Sequence, residues 1–119
     1  MLTKNLIKEL NTTLKKENVL TETEERYVYS VDASNDPYTK HTLPDAVVFV
    51  ESIEQVQQVV KIANKHMTPI ICRGAGTNTV GACVPTNGGI VLNFSKMNKI
   101  LEISSENMTA RVQPGVIVG

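Results

Sequence analysis

The apolar positions of this chain fall into two unlike stretches. Over residues 3–16, Leu6, Ile7, Leu10 and Leu14 recur at spacings of one, three and four with lysines between them, which predicts an amphipathic helix. Thr21-Glu22-Thr23-Glu24 places a carboxylate three residues after a hydroxyl, the form of a capping box, so a second short helix is expected to start at Thr21. Residues 32–45, DASNDPYTKHTLPD, are turn formers and polar groups and read as an irregular linker. Residues 1–43 thus read as an N-terminal helical arm and linker, set before a main unit at 44–119.

From Pro44 the pattern changes. Ala46-Val47-Val48-Phe49-Val50 is a continuous, mostly β-branched run, as in a strand covered on both faces. Ser52-Ile53-Glu54-Gln55 is another capping box. Ile53, Val56, Val59, Val60 and Ala63 then form a helical stripe, opposed by Glu54, Gln57, Gln58, Lys61 and Lys65. Pro69 follows, and Ile70-Ile71-Cys72 predicts a second strand. Strand, capped helix and strand make a βαβ unit with an expected right-handed crossover. Gly89–Phe94 predicts a third strand and Ser95–Lys99 a turn. Lys99–Ser104 and Met108–Gln113 alternate well enough to pair as a hairpin across Ser105-Glu106-Asn107, which Pro114-Gly115 ends. The fold class is therefore α+β: a small mixed sheet flanked by helices, plus a hairpin.

Between the second and third strands lies the candidate chemistry. Arg73-Gly74-Ala75-Gly76-Thr77-Asn78 and the later small pair Gly81-Ala82 suit a loop whose bare backbone approaches something closely. Successive N–H groups in such a turn can converge on an anion such as phosphate. It is not a Walker A loop, because no Lys-Ser/Thr follows at the required distance, nor a Rossmann fingerprint, because Thr79 stands where the third Gly belongs and residues 77–88 read as an extended loop. On spacing alone two readings stand: a tight structural turn, or an anion cradle to which Thr77 and Asn78 add hydrogen-bonding groups. Arg73 likewise reads as a charge at the cradle's rim or as a surface ion-pair partner.

Composition removes several classes. Among 119 residues, 12 basic side chains balance 12 acidic ones, so no net charge draws the chain to nucleic acid or an anionic membrane. Two Phe, three Tyr and no Trp are too few aromatics for a base-stacking surface. Cys72 and Cys83 read as two small buried thiols, and neither His41 nor His66 stands at a zinc-ligand spacing from them. His66, at a predicted helix end, reads as a dipole partner or a solvated residue. Ser34 and Ser95 have no local base, and no pair of acids forms a general acid–base set. The N-terminus MLTKNLIKELN is too polar for a signal peptide, and runs such as Ala46–Val50 are too short to span a bilayer, so a soluble, cytoplasmic protein is expected. The apolar ending Val116-Ile117-Val118-Gly119 suggests a piece of a longer protein.

Three motifs in order, Pro44-Asp45-Ala46-Val47-Val48, Arg73-Gly74-Ala75-Gly76-Thr77 and Val112-Gln113-Pro114-Gly115-Val116, resemble the start of the flavin-binding domain of the vanillyl-alcohol oxidase/PCMH superfamily. The resemblance runs from about Tyr29 to Gly119 and is nearest to glycolate oxidase large subunits and FAD-dependent D-lactate dehydrogenases. It implies the first subdomain of a PCMH-type, non-Rossmann FAD-binding domain, preceded by the family's N-terminal helical arm. By resemblance, the backbone of Arg73, Gly74, Ala75, Gly76, Thr77, Asn78, Gly81 and Ala82 would hold the FAD pyrophosphate, and Pro114, Gly115 and Val116 would lie near the flavin. Gly81-Ala82 departs from the family's frequent Gly-Gly, and Cys72 stands where Pro or Thr is common. No His in the loop suits a covalent flavin bond, so non-covalent FAD is implied.

The family's second flavin subdomain and substrate-capping domain, with the catalytic residues, would follow this stretch, so no catalytic residue is assigned here. The implied reaction passes a hydride from the α-carbon of a small 2-hydroxy acid, such as glycolate or D-lactate, to FAD. Implied electron acceptors are an electron-transferring flavoprotein, an iron–sulfur subunit or oxygen. Two other readings are a stand-alone nucleotide-binding or interaction module without catalysis, and a flavin reductase of the same fold.

Overall fold

The structure, a computed structural model, describes residues 2–31, 42–77 and 88–117. Helix α1 (Leu2–Thr13) is followed by a 3-10 turn (Lys16–Asn18), strand β1 (Val19–Leu20) and helix α2 (Thr23–Val28). Strand β2 (Ala46–Phe49), helix α3 (Ile53–Lys65) and strands β3 (Ile70–Arg73) and β4 (Ile90–Asn93) follow, then a hairpin of β5 (Ile100–Ser104) and β6 (Thr109–Val112). Residues 32–41 of the linker predicted at 32–45 lie outside the described residues, His41 among them, as do Asn78, Gly81, Ala82 and Cys83.

Four strands form one sheet in the order β1-β2-β4-β3, with β2, β4 and β3 parallel and β1 antiparallel to β2. The predicted strand–helix–strand order is present, but β2 and β3 are not neighbours: β4 lies between them. Burial explains the insertion. Ile90, Val91 and Leu92 are buried on both faces, as are Ala46, Val47 and Val48, so both strands take interior places. β3 is only half covered and takes the edge. Each fully buried Val, Leu or Ile here contributes roughly 1.5–3 kcal/mol of transfer free energy.

The start of β4 needs glycine. Gly88 and Gly89 have φ of 71° and 92°, and a Cβ on Gly89 would overlap the Pro69 carbonyl oxygen and lie 2.8 Å from Pro69 Cγ. Asp45 fastens this corner: its carboxylate accepts from the Gly89 N–H (3.2 Å), and its own N–H donates to the Gly89 carbonyl (2.7 Å). Asp45 of the first motif is thus joined to the sheet by these two bonds.

Helix α3 is capped as expected. Ser52 Oγ accepts from the Gln55 N–H (3.3 Å), and Gln55 Oε1 accepts from the Glu51 N–H (2.8 Å). Its buried face differs from the predicted stripe. Val59, Ile62 and Ala63 are buried and Val56 packs against the core, whereas Ile53 and Val60 are exposed. α1 lies against α3 and sends Leu6 and Leu10 into the same core, which Leu14, just after α1, also joins. Lys65 Nζ meets Glu9 Oε1 at 2.5 Å, and His66 Nε2 lies 3.3 Å from Glu9 Oε2, within ion-pair distance but off a hydrogen-bonding line. His66 caps α3, yet its side chain is buried against α1 rather than solvated. α2 starts at Thr23 with Glu22 as its cap and no side-chain cap bond, so Thr21 does not play the expected role. Cys72 is exposed, not buried, because it sits on the edge strand. β5 and β6 pair with an irregularity between Ile100 and Glu102, and Ile100, Leu101, Ile103 and Val112 are exposed, so the hairpin's alternation buries neither face. Among the described residues, no helix is long and apolar enough to cross a membrane.

Candidate functional site

The three parallel strands end together. Phe49 and Arg73 both pair with Asn93, and the Phe94 N–H donates to the Arg73 carbonyl (2.9 Å). The crevice beyond the carboxyl ends of parallel strands is where open α/β sheets bind ligands. Residues 74–77 leave β3 at this edge. After β4, the chain turns at Phe94–Met97, with the buried Asn93 side chain accepting from the Ser95 N–H (2.8 Å).

Residues 114–117 return to the same edge. The Gly115 N–H donates to the Met97 carbonyl (2.8 Å), and Gln113 exchanges bonds with Lys99 through its N–H (2.9 Å) and its Oε1 (3.0 Å). A Cβ on Gly115 would overlap the Phe94 carbonyl oxygen and sit 2.7 Å from its carbon. The chain passes so close here that only glycine fits.

Two adjoining cavities open between these segments. One of about 280 Å³ is lined by Gly74, Ala75, Ser95, Asn98, Gly115, Val116 and Ile117. The other, of about 430 Å³, is lined by Gly74, Ala75, Thr77, Pro114, Gly115, Val116 and Ile117. The structure therefore brings together the described parts of both sequence-predicted segments, which lie nearly forty residues apart. A larger hollow of about 540 Å³ lies between the 3-10 turn and α2, but Glu17, Glu22 and Glu25 against Lys16 alone make it a poor place for an anion.

The loop suits a phosphate-bearing cofactor on three counts. The N–H groups of Gly74, Ala75, Gly76 and Thr77 donate to no other described backbone group, as an anion-binding loop requires. Among the described residues a Cβ on Gly74 would meet nothing within 4 Å, and Gly74 lines both cavities, so space is left there that no described atom fills. The Arg73 guanidinium lies behind the loop: a Cβ on Gly76, at φ 72°, would overlap its Nη2 and come within 2.5 Å of Cζ. Arg73 is half-buried and, among the described residues, is not half of a carboxylate ion pair.

Sequence reasoning missed Ser95, Asn98 and Ile117 as lining residues, and Tyr29 as a partner of Arg73. Ser95 and Asn98 had a usable signal, since they follow the carboxyl end of a predicted parallel strand. Tyr29 had none.

The cleft at the end of the parallel sheet has the open, glycine-bearing loop that a phosphate-bearing nucleotide would need. The FAD binding domain family matches residues 44–119, and the chain belongs to that family, in the PCMH/vanillyl-alcohol oxidase superfamily of FAD-binding proteins. It is 42% identical over 117 residues to the glycolate oxidase subunit GlcD of Bacillus subtilis (strain 168), covering 98% of this chain and 24% of that protein. It is 40% identical over 114 residues to the D-2-hydroxyglutarate dehydrogenase of Stutzerimonas stutzeri (strain A1501), covering 94% of this chain and 24% of that protein. Among solved structures, p-cresol methylhydroxylase with substrate bound superposes with a TM-score of 0.83 at 34% identity, over 97% of this chain and 22% of the other. The chain thus spans about a quarter of the length of the relatives it matches. The expected family and α+β fold are borne out.

Proposed function

We propose that this chain forms the pyrophosphate-binding side of the FAD site in a flavin-linked 2-hydroxy acid oxidase or dehydrogenase. The observation that carries it is the cleft at Gly74, where loop amides without described backbone partners and an open Cβ position face Gly115 and Val116. In this reading Arg73 to Asn78, with Gly81 and Ala82, hold the FAD diphosphate through backbone N–H groups, and Pro114, Gly115 and Val116 flank the flavin. The bound FAD supplies the chemistry, acceptance of a hydride from the substrate α-carbon. This chain's residues bind and orient, and the substrate-contacting groups belong to other parts of the site.

The hydroxy-acid class is supported by the glycolate oxidase and D-2-hydroxyglutarate dehydrogenase relatives, and an interaction module without a cofactor is not favoured by the family match. Non-covalent attachment rests on the absence of His from residues 73–82. An electron-transferring flavoprotein or an iron–sulfur subunit is the proposed electron acceptor, and the glycolate oxidase relative, itself a subunit, fits a multi-chain enzyme. A cytoplasmic location completes the reading.

The test is flavin content. Full-length protein should purify yellow and release intact FAD on denaturation. Gly74→Ala should change unfolding free energy by no more than about 0.5 kcal/mol, as for a substitution that meets no protein atom. It should weaken FAD binding by roughly tenfold, about 1.4 kcal/mol, if a methyl there obstructs the diphosphate. Colourless protein that FAD cannot reconstitute would refute the flavin reading, and full affinity in Gly74→Ala would refute this use of the loop.

A further inference from the structure

Arg73 is held from behind the loop by the N-terminal arm, a segment outside the matched residues 44–119. Its Nη1 donates to the Val31 carbonyl, and its Cζ lies 5.2 Å from the centroid of the Tyr29 ring. The Tyr29 ring is fixed in turn, edge-on to Phe49 at the end of β2, with centroids 5.8 Å apart and planes at 85°. One further bond ties this part of the arm to the main unit, and a second holds it internally. Arg26 Nη1 donates to the Pro44 carbonyl (2.9 Å), and the hydroxyl of the buried Ser30 donates to the Tyr27 carbonyl (2.7 Å). The guanidinium is left filling the space beneath Gly76.

The chemistry of these partners is the informative part. An aromatic face and a carbonyl oxygen orient a guanidinium without neutralising it. Among the described residues no carboxylate pairs with Arg73. Among the described residues, then, the guanidinium charge lies beside Gly76 without a carboxylate partner, next to loop N–H groups that have no described backbone partner. A salt bridge would have held the side chain equally well, but would have cancelled the field on the loop's open side.

We propose that Tyr29 and Val31 are positioning residues of the flavin site, holding Arg73 by neutral partners so that its charge acts through the loop on a diphosphate. This rests on the flavin reading above and adds the arm to the site. The alternative is a clasp that merely stabilises the fold, in which FAD affinity follows stability whatever the charge at position 29.

Apo-protein prepared from the full-length chain is titrated with FAD by flavin fluorescence, with thermal unfolding of each apo-variant alongside. Tyr29→Phe keeps the ring face and should bind within about twofold of wild type. Tyr29→Leu should bind roughly three- to tenfold more weakly, the range of a lost cation–π contact. Tyr29→Glu offers Arg73 a carboxylate and should bind more weakly again, even if its unfolding temperature equals or exceeds that of Tyr29→Leu. Equal affinity in Tyr29→Phe and Tyr29→Leu, or Tyr29→Glu binding as tightly as Tyr29→Leu, would overturn the proposal. Should the Leu and Glu variants not fold, wild type and Tyr29→Phe decide it: FAD affinity that falls with added salt supports an acting charge, and salt-independent affinity overturns it. Wild-type protein that takes up no FAD would instead refute the flavin reading itself, so the two failures are distinguishable.

Discussion

The two walls of the cleft are both glycine-bearing, and the glycines do opposite work. At Gly115 the protein itself excludes a side chain: the Phe94 carbonyl occupies the Cβ position and the amide is engaged by Met97. At Gly74 no described atom excludes one, and neither that amide nor the next three have a described backbone partner. Gly76 stands between these cases, since its φ of 72° favours glycine before any ligand is considered, and a side chain there would have to displace the Arg73 guanidinium. A glycine in a motif is thus weak evidence of a ligand until its Cβ direction is known. By that measure Gly74 is the position that speaks for a cofactor, and Gly115 speaks for the fold.

That contrast can be broken by experiment. Gly115→Ala should be the most damaging change, destabilising the protein by about 2–3 kcal/mol as an overpacked site, with flavin lost only as the fold is lost. Urea unfolding monitored with and without FAD checks it, and a stable, flavin-free variant would reverse the assignment of the two walls. Gly76→Val comes next. A β-branched residue at positive φ costs about 1–3 kcal/mol, and displacing Arg73 should also lower the flavin-to-protein ratio in the full-length protein. Unchanged stoichiometry there would count against the loop, whereas Gly74→Ala isolates the ligand effect from the strain.

The smallest effect serves as a control far from the cleft. The Lys65 ammonium, then burial against it and His66, leave the Glu9 carboxyl below its ordinary range. A carboxyl with a lowered folded-state pKa contributes stability above its unfolded value and loses it as pH falls through the folded value. The stability difference between wild type and Glu9→Gln should therefore be constant at neutral pH and vanish as pH drops below about 4. It is small because the pair is exposed. Thermal melts across that range test it, and FAD affinity at neutral pH should be the same in both proteins.

Much of this was legible in one dimension. Strand β2 and helix α3 announce themselves because a continuous β-branched run and a Ser52–Gln55 cap are local properties. The hairpin was readable for the same reason, from two short apolar runs around Ser105-Glu106-Asn107. The face of α3 was less so: Ile53 and Val60 are as apolar as Ile62, and only the positions of α1 and the sheet decide which are covered. The strand order was not readable either. Insertion of β4 between β2 and β3 depends on which strand gains most from two covered faces, a comparison between distant segments.

By itself, then, the sequence determined the elements, the family and the loop that turns at Gly74 and Gly76, because these rest on residues near one another in the chain. Only the tertiary structure decided that Pro114–Val116 faces that loop, that the Gly115 and Gly74 amides have different fates, and that Tyr29 lies over Arg73. Those outcomes depend on which backbone atoms meet across the end of the sheet, and no spacing along the chain encodes that meeting.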